Sequence, residues 1–425
     1  MKAVFLCIAA CAVSVCLRAD TAANLEDQLE NQAERLIRSG DKDGALAALT
    51  QAAAVRPASA RSEDRIGFLL AVLGRRDEAA QHFQKSLSLD PNYAPAHFHS
   101  GVALWLANDP EHAMPELQAA AKLAPKVFDY RYRLGAAYLD TGHYDQAISE
   151  LRDAVAIDPS KAAAWQSLGR ALQAKRDLAG ALDAYQHAVA ADPNNDTARN
   201  DYAYALIETR EADRGIAESR KVLAHKPKDT SALLNIGYAY MKKGEFDSAE
   251  KAYRQTLAID PNSAAAHYNL GIALKMQDRL DPAQAELKEA IRLDPSLIEA
   301  HYALGIAYWQ LGNPDGTMEQ MRAAIAAKPD YAEAHYMLGI ALKQKGELDA
   351  AIPELREAIR LDPSTPGPYN MLGQILRIKG DKQGSEEAFA TGARLKREAD
   401  AQLANTLEQG MRGGTFPKPI TNGPR

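Results

Sequence analysis

The chain has 425 residues, 46% apolar and 25% charged, ordinary proportions for a protein that folds around apolar cores. A net charge of −6 argues against the basic footprint of a non-specific nucleic-acid binder. Its three cysteines are Cys7, Cys11 and Cys16, so nothing beyond them can be held by a disulfide, bind zinc through thiolates or act as a cysteine nucleophile.

Met1-Lys2 opens a nearly unbroken apolar run from Ala3 to Leu17, closed by Arg18-Ala19 before a polar stretch from Asp20. A positive start, an apolar core of about fifteen residues and a small residue at the end read as a secretory signal peptide over residues 1–19, cut after Ala19. The expected location is therefore periplasmic or secreted. Loss of Lys2 and Arg18 with the signal, and of no acid, leaves the remainder at −8. The alternative is an anchor, either an uncleaved helix or a lipid on Cys11, since Ile8-Ala9-Ala10-Cys11 resembles a lipoprotein cleavage box. The apolar run is short against the roughly 20 residues of a full span. Membrane contact is expected only in that case. Residues 20–25 are a short lead-in.

From residue 26 the sequence is periodic. Prolines stand at 57, 91, 125, 159, 193, 227, 261, 295, 329 and 363, always 34 residues apart. The strings AAAHYNLG at 264–271, IEAHYALG at 298–305 and AEAHYMLG at 332–339 keep the same step. Such a period marks a helical repeat array. With the proline at the thirty-second place, about eleven repeats fill residues 26–399.

Each repeat reads as helix-turn-helix. The eighth place holds Gly67, Gly101, Gly135, Gly169, Gly237, Gly271, Gly305, Gly339 and Gly373. A glycine inside a helix costs about 1 kcal/mol against alanine, so close helix packing is the expected reason. Alanines at the twentieth place, such as Ala79 and Ala283, allow that approach, and Phe83, Tyr185, Tyr253 and Phe389 at the twenty-fourth fill the space beside them. Glycines at 40, 74, 142, 244, 312, 346 and 380 suit a left-handed residue closing the first helix. Asp77, Asp145, Asp247, Asp315 and Asp349 follow as cap or first-turn charge of the second helix. Asn92, Ser160, Asn194, Asn262, Ser296, Asp330 and Ser364, next after the proline, are expected to cap the following repeat. Ser296 with Glu299 and Asp330 with Glu333 have capping-box spacing.

With Trp165, Leu168, Gly169, Ala181, Tyr185, Ala188 and Pro193 in one repeat, the pattern resembles the tetratricopeptide repeat (TPR) over about 374 of the 425 residues. The resemblance implies an all-α, right-handed superhelical solenoid whose first helices line a concave groove. The repeat at 196–229 departs most, with Ala203, Gly215, Ser219 and Val222 at pattern places. It reads either as a loosely packed bend between two halves or as sequence drift. The first repeat, 26–59, is polar, with Ala33 at the eighth place, and is expected to cap that end. Residues 400–411, with Leu403 and Leu407, read as a C-terminal capping helix, and 412–425 as a disordered tail.

By the resemblance, the second, fifth, ninth, twelfth and thirteenth places face the groove. They include Tyr268, Ile272 and Lys275, then Tyr302, Ile306 and Trp309, then Tyr336, Ile340 and Lys343. Steps of four and three place each trio on one helix face. Arg377 continues the cationic side, and Phe98, Trp105 and Tyr132 give the N-terminal half a sparser version. The row reads as a peptide- or protein-binding groove; the competing reading is that the rings pack on one another. In some relatives a ladder of asparagines at the sixth place holds a peptide backbone; by the resemblance Asn235 and Asn269 would be two rungs of it, and the ladder then stops. The carboxylate clamp of chaperone-binding relatives needs lysine at the fifth place, which here holds Leu234, Tyr268 and Tyr302.

His97, His267, His301 and His335 share the fourth place. Equivalent places on packed helices lie about 8–10 Å apart, too far for nitrogens that must reach about 2.1 Å from one metal ion. A structural role between repeats is expected, with no metal. No H-E-x-x-H, Walker loop or G-x-S-x-G motif is present. The segments flanking the repeats are too short for a catalytic domain. The expectation is a non-catalytic exported scaffold or adaptor for peptide or protein partners, with no cofactor and no nucleic acid. The alternatives are a structural or accessory subunit of an envelope assembly, or a subunit presenting substrate to a separate enzyme.

Overall fold

A computed structural model describes residues 25, 27–29, 31–55 and 59–412, the side chains of 403–412 excepted. The expected signal peptide over 1–19 and the segment 413–425 lie outside the described residues. All regular structure among the described residues is helical. The first helix of a repeat, A, runs 13 residues as in Ala264–Met276, and the second, B, runs 14 as in Leu280–Leu293. Helix A begins on the first place of the 34-residue frame in repeat after repeat, at Ala60, Ala94, Phe128, Ala162, Thr230, Ala264, Ile298, Ala332 and Pro366. The chain is an all-α run of about eleven helix-turn-helix repeats.

It divides into two compact units, one ending at Ala205 and the other starting at Leu206. The division lies in helix A of repeat 6, Asp196–Glu208.

The same contact joins helix A to helix B in both units. A methyl on Gly169 would stand 2.5 Å from the Tyr185 ring, and one on Gly135 2.7 Å from Leu151. In the second unit a methyl on Gly237 would stand 2.4 Å from the Tyr253 ring, and one on Gly271 2.7 Å from Leu287. The glycine thus makes room for the twenty-fourth-place side chain, which is fully buried in Phe83, Leu117, Leu151, Tyr185, Tyr253 and Leu287. The twentieth place contributes its backbone: the Ala283 carbonyl lies 3.3 Å from that added methyl on Gly271.

The seven turn glycines all have positive φ, from 70° to 87°. The equivalent place in four other repeats is held by Asn108, Arg176, Arg210 and Asp278 at φ between 59° and 69°. There the left-handed turn persists although a Cβ makes it costly.

Two capping expectations are corrected. Helix A is entered one residue later than the spacing implied. The N-cap is the thirty-fourth place, as in Ser263, whose hydroxyl accepts from the Ala266 N–H at 3.3 Å. Ser296 is not a cap; its N–H and hydroxyl both donate to the Asp294 carboxylate, at 2.9 and 2.6 Å, and Leu297 is the N-cap. Asn92, Ser160, Asn194, Asn262 and Ser364 likewise donate their N–H to an aspartate two residues back. Around Asp330 the N-cap is Tyr331, so the second capping box does not form either. Where aspartate precedes the proline, as at Asp294-Pro295-Ser296, the physical reason is that the turn takes the polar residue for itself, leaving the next residue to enter the helix. Similarly, Asp145, Asp315 and Asp349 are first-turn charges, paired with Lys175, Lys345 and Lys379 of the following repeat.

Repeat 6 shows no looseness in its burial: Ala203, Leu206 and Val222 are fully buried, and so is Ser219. The last B helix runs unbroken over Lys382–Arg412, so residues 400–411 continue the final repeat. Arg397 stands where the other repeats carry proline, and nothing there stops the helix.

Candidate functional site: the A-helix face of repeats 7–11

The expected groove residues lie on one face of successive A helices in the second unit. Tyr268 and Ile272 pack against Leu287, Ala303 and Leu304, which ties repeat 8 to repeat 9. Tyr302, Ile306, Tyr336 and Ile340 pack against a single core that runs through repeats 9 to 11. The tyrosines are therefore anchored, with part of each ring exposed. Tyr302 also lies against Tyr331, ring centroids 5.2 Å apart. The Tyr336 hydroxyl sits so close to Gly367 of the next repeat that a Cβ there would be 2.8 Å away. Burial pushes the Tyr268 phenol up to about 12, with the Glu299 carboxylate adding to it. Burial raises Tyr302 too, aided by Glu333, and raises Tyr336 alone.

The exposed members stand at the C-terminal end of the same helices. Trp309 is 44% exposed and Met276 52%. Lys343 donates to the Gln374 side-chain oxygen on the next A helix, a neutral partner. Lys275 is partly buried, its ammonium disfavoured by lost solvent alone, and it has no hydrogen-bond or charge partner among the described residues. Asn235 and Asn269 are partly buried in repeats 7 and 8. Met276, Gln374, Tyr331, Glu299 and Glu333 belong to this surface but were not named among the groove residues, the two glutamates having been read as capping-box partners. The two glutamates were legible, since they share the second place.

In the first unit Phe98 lies against Tyr130, centroids 4.7 Å apart, and Tyr132 stacks on Phe128 at 5.6 Å. Trp105 packs on the core formed by Leu117 and Leu134. The first unit also holds Asp64, which accepts from His99 Nδ1 at 2.8 Å.

The fourth-place histidines are clasps between repeats. Nδ1 of His97, His267 and His335 lies 2.6, 2.6 and 2.7 Å from Glu116, Glu286 and Glu354. Nε2 lies 3.0, 3.1 and 3.1 Å from the carbonyls of Pro91, Pro261 and Pro329 of the preceding repeat. His301 joins Gln320 and Pro295 in the same way. Arg131 and Trp165 replace histidine elsewhere and donate to the carbonyls of Pro125 and Pro159. Both ring nitrogens are thus engaged by oxygens, which is the structural role. Among the described residues no three histidines or carboxylates gather as metal ligands.

Comparison with known proteins agrees with this architecture. A family model described as "Tetratricopeptide repeat" matches residues 31–94, 65–128, 234–298, 268–332, 302–366 and 336–402. A second model of that description matches 104–175, and one described as "Cytochrome c-type biogenesis protein H TPR domain" matches 150–258. No curated protein matches the chain. Among solved structures, MamA is 28% identical, covering 39% of this chain and 97% of its own, with a TM-score of 0.38. YrrB, described as a TPR protein with an unusual peptide-binding site, is 19% identical over 44% of this chain and 96% of its own, with a TM-score of 0.39. Yeast Tom70 is 14% identical over 92% of this chain and 97% of its own, with a TM-score of 0.46. The repeat matches together span more than half of the sequence, and the chain belongs to the tetratricopeptide repeat family.

Proposed function

We propose that this protein is an exported, non-catalytic adaptor that holds peptide segments of partner proteins on the A-helix face of repeats 7–11. The observation that carries the reading is the combination on that face: a row of anchored tyrosines with part of each ring exposed, beside an exposed tryptophan and a lysine without a partner. Aromatic groups fixed by their own packing lose little freedom when a ligand arrives, which favours them as anchors. Extended binding surfaces are what stacked repeats provide. Export rests on the sequence of residues 1–19. Among the described residues no helix is long and apolar enough to cross a membrane. A second reading, a subunit that presents substrate to a separate enzyme in an envelope assembly, draws on the match of 150–258 to the cytochrome c-type biogenesis model.

The test is co-purification with the full chain beside a Trp309→Ala, Met276→Ser variant, both residues exposed enough to leave the core intact. Partners retained by the parent and lost by the variant support the adaptor; equal retention removes this face from the function. Mass analysis of the mature N-terminus checks export, with cleavage after Ala19 expected and an intact Met1 opposing it.

A further inference from the structure

The twelfth place of repeats 8–11 forms a row of its own: Lys275, Trp309, Lys343 and Arg377 on successive A helices. Two places on, Lys345 and Lys379 at the C-caps of two of these helices are paired with Asp315 and Asp349 of the preceding repeat, as Lys243 at the end of the A helix of repeat 7 is paired with Asp213. The twelfth-place cations are treated differently. Lys343 meets only a neutral amide, and Arg377 lies 5.8 Å over the Phe389 ring. Among the described residues none of the three has a carboxylate partner, and Lys275 has no partner at all. A cation in the last turn is favoured by the helix dipole, which accounts for lysine being tolerated there. It does not account for partly burying Lys275 without a partner, a cost that a protein retains only with compensation. Nor does it account for the large apolar ring of Trp309, 44% exposed between two cations.

We propose that the Lys275–Trp309–Lys343 row is a reader of acidic peptide segments, resting on the adaptor reading above. The occupant is an extended stretch of a partner protein. Its carboxylates meet Lys275 and Lys343, and an apolar side chain between them lies on Trp309. Neighbouring packed helices stand about 8–10 Å apart, and an extended chain rises about 3.3 Å per residue. One repeat therefore matches three residues, and the sequence read is acid-x-x-apolar-x-x-acid. The row is a local edge and not part of a basic surface. Glu299 and Glu333 lie at the other end of the same helices, ten residues away or about 15 Å, and the whole chain is at −6. The chain's own residues 413–425 carry Lys418 and Arg425 and no acid, the wrong charge for this row, so the occupant comes from another protein.

The experiment is selection of a displayed random dodecapeptide library against the full chain. Fluorescence anisotropy of one enriched peptide then compares the parent with Lys275→Glu, Lys343→Glu and Lys251→Glu. Lys251 is an exposed helix-B residue away from the row. The expected result is enrichment of Asp or Glu three residues from a large apolar side chain. Each row variant should then lose about tenfold or more in affinity, and Lys251→Glu should lose none. Lys275→Met with unchanged circular dichroism and the same loss excludes a folding artefact. Peptides enriched without acids at that spacing, or bound equally by Lys275→Glu, overturn this inference and leave the adaptor reading standing. If no peptide is enriched at all, the adaptor reading fails and this inference with it.

Discussion

The contact between the eighth and twenty-fourth places fixes how each repeat closes, and a pair of glycine substitutions tests it. Gly237→Ala puts a methyl 2.4 Å from a ring carbon of Tyr253, which is fully buried. Carbon atoms rest at about 3.5–4.0 Å, so helix A and the ring must separate by more than 1 Å or the ring must leave its rotamer. Overpacking of that kind costs about 1–3 kcal/mol, against a helix-propensity gain of about 1 kcal/mol. The expected net is a loss of up to about 2 kcal/mol. Gly373→Ala is the contrasting case. Its methyl would meet the Phe389 ring at 3.1 Å, a few tenths of an ångström too close, so the propensity gain roughly offsets the strain. In a repeat array stability is local to a unit and its neighbours, so the assay is hydrogen exchange read repeat by repeat, alongside thermal unfolding. Protection should fall around repeat 7 in Gly237→Ala and stay near parent in Gly373→Ala. Equal behaviour of the two variants, or a greater loss at Gly373, would refute the packing argument.

Other expectations follow from buried polar groups and backbone strain. Tyr253 and Tyr185 occupy the same place, but the buried Tyr253 hydroxyl has no partner among the described residues, whereas that of Tyr185 donates to Gln173 at 3.0 Å. Tyr253→Phe should therefore stabilise by up to about 1 kcal/mol and Tyr185→Phe should destabilise by about that much, as read from urea unfolding. Arg176, at φ 61°, should gain about 1 kcal/mol on replacement by glycine, seen as a higher midpoint. Burial lowers the pKa of Lys275 below its ordinary 10.5, so the unfolded state holds that proton more firmly. Stability then climbs as pH rises through the folded value towards 10.5, and the charged lysine detracts at neutral pH. Lys275→Met should raise the neutral-pH melting temperature and flatten that climb, even as it removes peptide binding.

The repeat frame was legible because close packing leaves a periodic trace: only glycine fits under Tyr185 or Leu151, and only a left-handed turn fits at Gly142 or Gly346. Caps were misplaced by one residue because Ser296 and its equivalents are drawn to Asp294 and its equivalents, a local competition that spacing rules do not resolve. The partners of the histidines were within reach of the sequence, since His97, His267 and His335 each have a glutamate nineteen residues on. The helix beyond residue 399 was also legible in Arg397, which replaces the stop. What could not be read is which groove residues remain open. The packing of Tyr268 and Tyr302, the exposure of Trp309 and the isolation of Lys275 depend on side chains from neighbouring repeats.

The most direct measurement of the central claim is site-specific photo-crosslinking in the native host. A photoreactive residue would be placed at position 309 on the A-helix face or at Arg292, an exposed site on helix B of repeat 8. Capture of the same partner from position 309 and none from position 292 is the predicted result. Capture from position 292 with none from position 309 would put the binding surface on the opposite helices and contradict the account.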